Sequence, residues 1–232
     1  MEIAAIIPAR GGSKGIPKKN IKLLNGKPLI SYSITEAQKS SYITDVYVST
    51  DDQEIARISE AYGAKVPYLR PSNLSIDSSP TIDSILHMTE WLLTSGNKIP
   101  EYICVLQCTS PLTKASDIDG TIKKLIETGM DGAVSICEAE VNPYWTNVFK
   151  GDRLEYFIEE GKNITRRQDL PEIFRLNGAI YVVKTEVLLS ERTLEPKNIT
   201  GYVMSNESSI DIDTMQDFML AEFLMKEREK NA

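Results

Sequence analysis

An apolar run at residues 3–9, read as a buried strand, opens directly into a glycine-rich loop carrying five cations and no acid between Arg10 and Lys22. The cations are Arg10, Lys14, Lys18, Lys19 and Lys22. A strand apolar on both faces needs a sheet covered on both sides, which points to an α/β architecture. Gly11, Gly12 and Gly15 let backbone N–H groups turn toward an anion, and phosphate oxygens are the obvious guest. The glycine spacing is neither G-x-G-x-x-G nor G-x-x-x-x-G-K-[ST], so neither the dinucleotide fingerprint nor the Walker loop fits. Acids outnumber bases 33 to 26, for a net charge of −7, so a dense cationic loop is more than average surface charge. It would focus anions locally in an acidic chain.

The first half alternates short apolar runs with helical periods, the pattern of a largely parallel sheet with crossover helices. Strands are expected at 45–50, 64–69, 102–107 and 132–137, and helices at 29–39, 52–62, 81–94 and 118–127. Ligands of such sheets bind beyond the carboxyl ends of the strands, where Arg10, Asp51 and Gln107 fall. From about 138 to 175 the chain becomes polar and dotted with aromatics, an excursion rather than another βα repeat. Strands at 178–183 and 201–204 and a helix at 214–226, with Asp213 as its N-cap, complete the expectation.

Asp211-Ile212-Asp213 places two carboxylates on one face of an extended segment, about 6–7 Å apart. That spacing suits one Mg²⁺ shared with phosphate oxygens and water, and equally a cap plus a solvated acid. A cationic glycine-rich loop of this kind could grip a triphosphate, whose oxygens call for several charged and amide donors. Arg10, Lys14 and Lys19 would hold the triphosphate, with the amides of Gly11, Gly12 and Ser13 as neutral donors. Lys18 and Lys22 are read as solvated.

Five blocks occur in order: Pro8 to Asn20 continuing into Asn25 to Ile30, Val48 to Asp51, Leu106 to Leu112, Phe174 to Tyr181, and Ser209 to Thr214. They span nearly the whole chain. In these blocks the sequence resembles the acylneuraminate cytidylyltransferases, the CMP-sialic acid synthetase family. The resemblance implies a Rossmann-like nucleotidyltransferase fold with a mostly parallel central sheet, residues 1–232 as one domain, and a small dimerisation lobe around 138–175. It implies a homodimer in which the second subunit closes part of the sugar site. It implies CTP as donor and a nine-carbon 2-ulosonic acid as acceptor, with Mg²⁺, or Mn²⁺, on Asp211 and Asp213. Arg10, Lys14, Lys19 and Asp211 would carry the catalysis, Asp211 or a water taking the proton. Asn20, Arg70, Ser79 and Thr81 fall where the family contacts cytidine, and Gln107, Arg167, Asn177 and Tyr181 where it contacts sugar. A turn at Arg70-Pro71 and a helix cap at Thr81 are the plain alternatives for that pair.

One departure bears on the acceptor. Sialic-acid members commonly place a lysine where this chain has Trp145. An indole in place of an ammonium removes a charged donor and adds apolar area, suiting an acceptor such as legionaminic or pseudaminic acid, with an acetamido or methyl group where sialic acid has hydroxyls. Alternatively, Trp145 packs in the subunit contact. Rival readings are a 3-deoxy-manno-octulosonate cytidylyltransferase, a glycosyltransferase using the D-x-D triplet, and a catalytically silent nucleotide-binding module.

At 232 residues, 41% hydrophobic and 25% charged, the chain can bury a large core and is neither disordered nor fibrous. No apolar run approaches a membrane span of roughly 18 residues, and the start has no basic leader, so a cytoplasmic address is expected. Nucleic-acid binding is not expected of an acidic chain whose basic cluster is one loop. Three cysteines without paired spacing suggest neither a disulfide framework nor zinc. The one histidine, His87, reads as a solvent-face residue, which argues against Ser-His-Asp or Cys-His chemistry.

Overall fold

The computed structural model describes residues 1–13, 15–76, 79–96 and 98–230. Its centre is a six-stranded sheet in the order β10-β6-β9-β5-β1-β4, built from β1 (Ile3–Pro8), β4 (Asp45–Ser49), β5 (Tyr102–Leu106), β6 (Gly132–Glu138), β9 (Phe174–Lys184) and β10 (Ile199–Val203). β1 pairs parallel with β4 and β5, and β6 with β10. Only β9 runs against its neighbours in this sheet. The sheet is therefore mostly parallel, as expected.

The pleat of β1 splits its side chains between two cores. Ile3, Ala5 and Ile7 join the layer under α1 (Leu29–Lys39), α2 (Gln53–Ala61) and α4 (Ala115–Thr128), while Ala4 and Ile6 face α3 (Thr81–Thr94) and α5 (Thr185–Glu191). A third apolar cluster lies at one end of the sheet. It gathers Ile16 of the cationic loop, Leu24, Leu29, Leu112 and Ile212 against Phe218, Ala221 and Met225 of α6 (Met215–Lys230). Leu24 belongs to a short hairpin, β2 (Leu23–Leu24) with β3 (Lys27–Pro28). Two segments nearly 200 residues apart in sequence are thus joined by hydrophobic burial.

Four local expectations need correction. Residues 64–69 make a single bridge, Tyr47 to Lys65, because this edge of the sheet receives no longer partner. α4 starts at Ala115, where Asp117 accepts from the Lys114 N–H at 2.9 Å. α6 is capped by Thr214, whose hydroxyl and N–H both donate to Asp217 at 2.8 and 2.7 Å while its Oγ1 accepts from the Asp217 N–H at 3.3 Å. Asp213 is therefore not the cap. His87 is half-buried, its ring 2.9 Å from the Tyr68 hydroxyl and edge-on to the Tyr68 ring.

The segment between β6 and β9 holds a hairpin, β7 (Asn147–Lys150) and β8 (Arg153–Tyr156), flanked by short 3₁₀ turns. Phe149, Leu154 and Phe157 are exposed there, Phe149 at 77%. Among the described residues, no helix is long and apolar enough to cross a membrane. Cys104, Cys108 and Cys137 are buried and unpaired.

Candidate active site

A cleft of ≈ 470 Å³ opens at the carboxyl ends of β1 and β5. The cationic loop contributes Arg10, Ser13, Lys19 and Asn20, the segment from β4 to α3 contributes Arg70, Ser79 and Thr81, and Gln107 and Asp213 reach it from the far side. Lys14 lies outside the described residues.

Lys19 ties the loop to the acidic triplet. Its Nζ donates to the Ile212 carbonyl at 2.6 Å and to Asp213 Oδ1 at 3.3 Å, with the lysine side chain 14% exposed. The close approach also explains Gly15: a Cβ there would stand 2.7 Å from the Asp213 carbonyl oxygen. Lys18 and Lys22 turn away, Lys18 to Glu54 at 2.6 Å and Lys22 over the Phe218 ring. Asn20 is buried and donates from Nδ2 to the Arg10 carbonyl at 2.9 Å, so half of its amide closes the loop.

The amide donors expected of Gly11 and Ser13 need revision. The Gly11 N–H donates to Asp51 Oδ1 at 3.0 Å, and the Ser13 N–H to the Gly11 carbonyl at 3.2 Å. Gly12 is the amide of the three that the described hydrogen bonds leave for an anion.

Arg70 is 6% exposed. Burial pushes its pKa down, and neighbouring Asp51 opposes that shift. The Ser79 hydroxyl donates to the Asn73 carbonyl at 2.8 Å, closing the loop before α3. Thr81 is the first residue of α3 and does not cap it; Pro80 stands at the cap position.

Asp211 and Asp213 flank fully buried Ile212, so both carboxylates lie on the solvent side of this segment. The backbone is held by Ile212 N–H donating to the Thr109 carbonyl at 2.8 Å, and Thr109 itself lines the cleft. Asp211 sits in a depression: its surface reaches solvent while protein fills much of the volume around it. Burial raises its carboxyl pKa, the Thr109 hydrogen bond opposes this, and Asp213 adds a further upward push. Among the described residues no three metal-ligating side chains cluster. Mg²⁺ does not require such a cage. Two hard carboxylate donors beside a cation-lined cleft fit an ion that completes its shell with a ligand's oxygens and water.

The sugar-side residues separate. Gln107 lines both the cleft and an adjoining cavity of ≈ 310 Å³ that also holds Tyr181, Arg192 and Glu195. Burial, then the Glu195 charge, raises the Tyr181 pKa. Arg167 is not in the cleft; it shares a cavity of ≈ 550 Å³ on the β6–β9 excursion with Asn142 and Trp145. The Trp145 indole N–H donates to the Ile164 carbonyl at 2.9 Å. Asn177 is likewise outside the cleft and 3% exposed. It fills an irregularity between β6 and β9, accepting from Ser135 Oγ at 2.6 Å and the Ala179 N–H at 3.2 Å and donating to Ser209 Oγ at 2.9 Å. Sequence reasoning missed Thr109 and gave Asp51 no role. Their signals were a position just after a strand and membership of the ordered blocks Val48 to Asp51 and Leu106 to Leu112.

A family model described as Cytidylyltransferase matches residues 4–228. The chain is 33% identical over 232 residues to a pseudaminic acid cytidylyltransferase of Campylobacter jejuni subsp. jejuni strain 81-176, covering 100% of both chains. It is 32% identical to a CMP-N,N'-diacetyllegionaminic acid synthase of Legionella pneumophila subsp. pneumophila strain Philadelphia 1, covering 97% of each. Among solved structures, a CMP:2-keto-3-deoxy-manno-octonic acid synthetase complexed with CTP superposes with a TM-score of 0.75 at 18% identity, covering 98% of this chain and 100% of that one. That last likeness concerns the fold alone. With a family match over almost its full length and relatives above 30% identity along the whole of it, the chain belongs to the cytidylyltransferase family.

Proposed function

We propose that this cytidylyltransferase joins the CMP unit of CTP to the C2 hydroxyl of a nine-carbon 2-ulosonic acid, releasing pyrophosphate. The observation that carries the reading is Lys19, held at 2.6 Å to the Ile212 carbonyl and 3.3 Å to Asp213 so that a cationic loop and the Asp213 end of the acidic triplet share one cleft. That pairing suits a triphosphate better than a nucleotide-sugar donor with two phosphates.

Arg10 and Lys19, with Lys14 from the same loop, neutralise the triphosphate and the pyrophosphate leaving group. The Gly12 amide adds a neutral donor. Arg70, Ser79, Thr81 and Asn20 form the nucleoside side of the cleft. Gln107 stands where the cleft meets the cavity holding Tyr181, which we assign to the acceptor. Asp211 and Asp213 would hold Mg²⁺, or Mn²⁺, which when bound supplies positive charge beside the reacting phosphate. Asp211, whose carboxyl pKa burial raises, or a water would take the proton of the attacking hydroxyl.

Exposed Phe149, Leu154 and Phe157 support a homodimer formed through the excursion. Arg167 and Trp145 lie on that face rather than in their own cleft. In the dimer they would reach the acceptor end of the other copy's cleft. The two relatives named for pseudaminic and diacetyllegionaminic acid favour an acceptor with an acetamido or methyl group where sialic acid has hydroxyls.

The test is pyrophosphate release with CTP and Mg²⁺ against N-acetylneuraminate, diacetyllegionaminate, pseudaminate and the eight-carbon octulosonate. Release with a nine-carbon acid is expected. Release only with the octulosonate would transfer the assignment to that substrate, and silence with all four would refute it.

A further inference from the structure

The corner between β4 and α2 carries two adjacent acids with different tasks. Asp52 caps α2, accepting from the N–H groups of Glu54 at 2.7 Å and Ile55 at 3.0 Å. Asp51 stands behind the cleft lining: its Oδ1 accepts from the Gly11 N–H at 3.0 Å and lies 3.7 Å from Nη2 of Arg70, which does line the cleft. Arg70 is otherwise fixed through Nε to Ser75 Oγ at 3.0 Å and through its N–H to the Thr50 carbonyl at 2.7 Å. The loop seats on this corner because residue 11 is glycine. A Cβ there would stand 2.8 Å from Asp52 Oδ2 and 3.0 Å from Asp52 Cβ. Further along, Lys18 pairs with Glu54 of α2 at 2.6 Å, so the loop is tied to the corner twice.

An anion beside a polyanion's binding site weakens capture by simple Coulomb repulsion. Asp51 therefore needs a compensating task, and its two partners supply one. They belong to two segments that line the cleft, the cationic loop carrying Arg10 and Ser13 and the stretch after β4 carrying Arg70. Arg70 at 6% exposure also needs a counter-charge, since a buried unpaired guanidinium is costly.

We propose that Asp51 is a positioning residue for nucleotide capture, joining the Gly11 amide to the Arg70 guanidinium so that the cationic loop and Arg70 are set relative to each other before CTP arrives. The inference rests on the cleft being the CTP site. Its gain is preorganisation: the nucleotide does not spend binding energy ordering the loop.

Two physical pictures predict opposite signs. If Asp51 were only a nearby negative charge, Asp51→Asn and Asp51→Ala would bind CTP more tightly. A positioning role predicts weaker binding, with the dissociation constant rising at least tenfold for Asp51→Ala and three- to fivefold for Asp51→Asn, which keeps an acceptor for the Gly11 N–H. CTP affinity is measured by calorimetry on the intact protein, with melting temperature and acceptor KM at saturating CTP alongside. Acceptor KM should stay within twofold. Asp51→Asn, equal in size to the native residue, carries the test should Asp51→Ala fail to fold. Unchanged or tighter CTP binding in the variants would overturn the positioning role alone, and so would equal rises in both substrates' constants that track a fall in melting temperature. Failure of the wild-type protein to bind CTP would overturn the nucleotide assignment and this inference with it.

Discussion

Lys19→Met removes the ammonium that spans the cationic loop and the acidic triplet while keeping most of the side chain's length. Two bonds are lost within the protein. The donor to the Ile212 carbonyl at 2.6 Å is charge-assisted and well shielded, a type worth about 1.5–3 kcal/mol. The contact to Asp213 at 3.3 Å adds little, roughly 0–1 kcal/mol, because that carboxylate is 76% exposed. A stability loss of about 2 kcal/mol corresponds to a Tm lower by roughly 4–8 °C in a chain of this size. The effect on catalysis should be larger, since a unit charge 4 Å from a phosphate oxygen contributes up to about 4 kcal/mol near a protein surface. With solvent screening taken into account, a loss of roughly 2–4 kcal/mol in transition-state stabilisation gives kcat/KM for CTP lower by roughly 30- to 1,000-fold. The assay is continuous pyrophosphate release at varied CTP and saturating acceptor, with melting measured on the same samples. A fall in Tm with kcat/KM within threefold of wild type would refute the reasoning, leaving Lys19 as a structural bracket that never meets the phosphates.

Three further outcomes are expected. Asn177→Ala orphans the buried Ala179 N–H, at about 1–3 kcal/mol, and lowers Tm by roughly 2–12 °C while leaving acceptor KM within twofold well below the transition; an unchanged Tm with a tenfold higher KM would instead place Asn177 on the substrate. Asp211→Asn should lower turnover at least roughly a hundredfold at saturating Mg²⁺, and near-wild-type turnover would remove Asp211 from metal binding and proton transfer alike. Trp145→Lys should shift the ratio of kcat/KM values toward N-acetylneuraminate and away from diacetyllegionaminate and pseudaminate, whereas an unmoved ratio would leave Trp145 as a packing residue.

Much of the chain was legible because its signals are local. Helices α1 and α3 fall at the expected 29–39 and 81–94, since apolar periodicity and flanking turns act within a few residues. The short expected strand at 64–69 was not realised because a strand exists only with a partner along its length, and Tyr47 alone faces Lys65. Asp213 as helix cap was a local reading overtaken by a better one, the reciprocal pair of Thr214 and Asp217. Asn177 illustrates the opposite failure. Its sequence context suggests a sugar contact, yet its amide is engaged with Ser135, Ala179 and Ser209, partners up to 42 residues away.

The sequence by itself determined the α/β layering, the cationic loop at the end of the first strand and the family, because periodicity, composition and ordered motifs are properties of the chain alone. Only the tertiary structure decided which of those residues share a cleft. Ile16 and Ile212 are buried in one apolar cluster, and that burial brings Lys19 to Asp213 across 194 positions of sequence. It likewise decided that Gly11 gives its amide to Asp51, and that Arg167 and Trp145 lie apart from their own cleft. Hydrophobic burial is non-directional and acts between any segments that can reach one another, so its pairings are absent from local pattern. The hydrogen bonds that specify the cleft form only after that burial has chosen the neighbours.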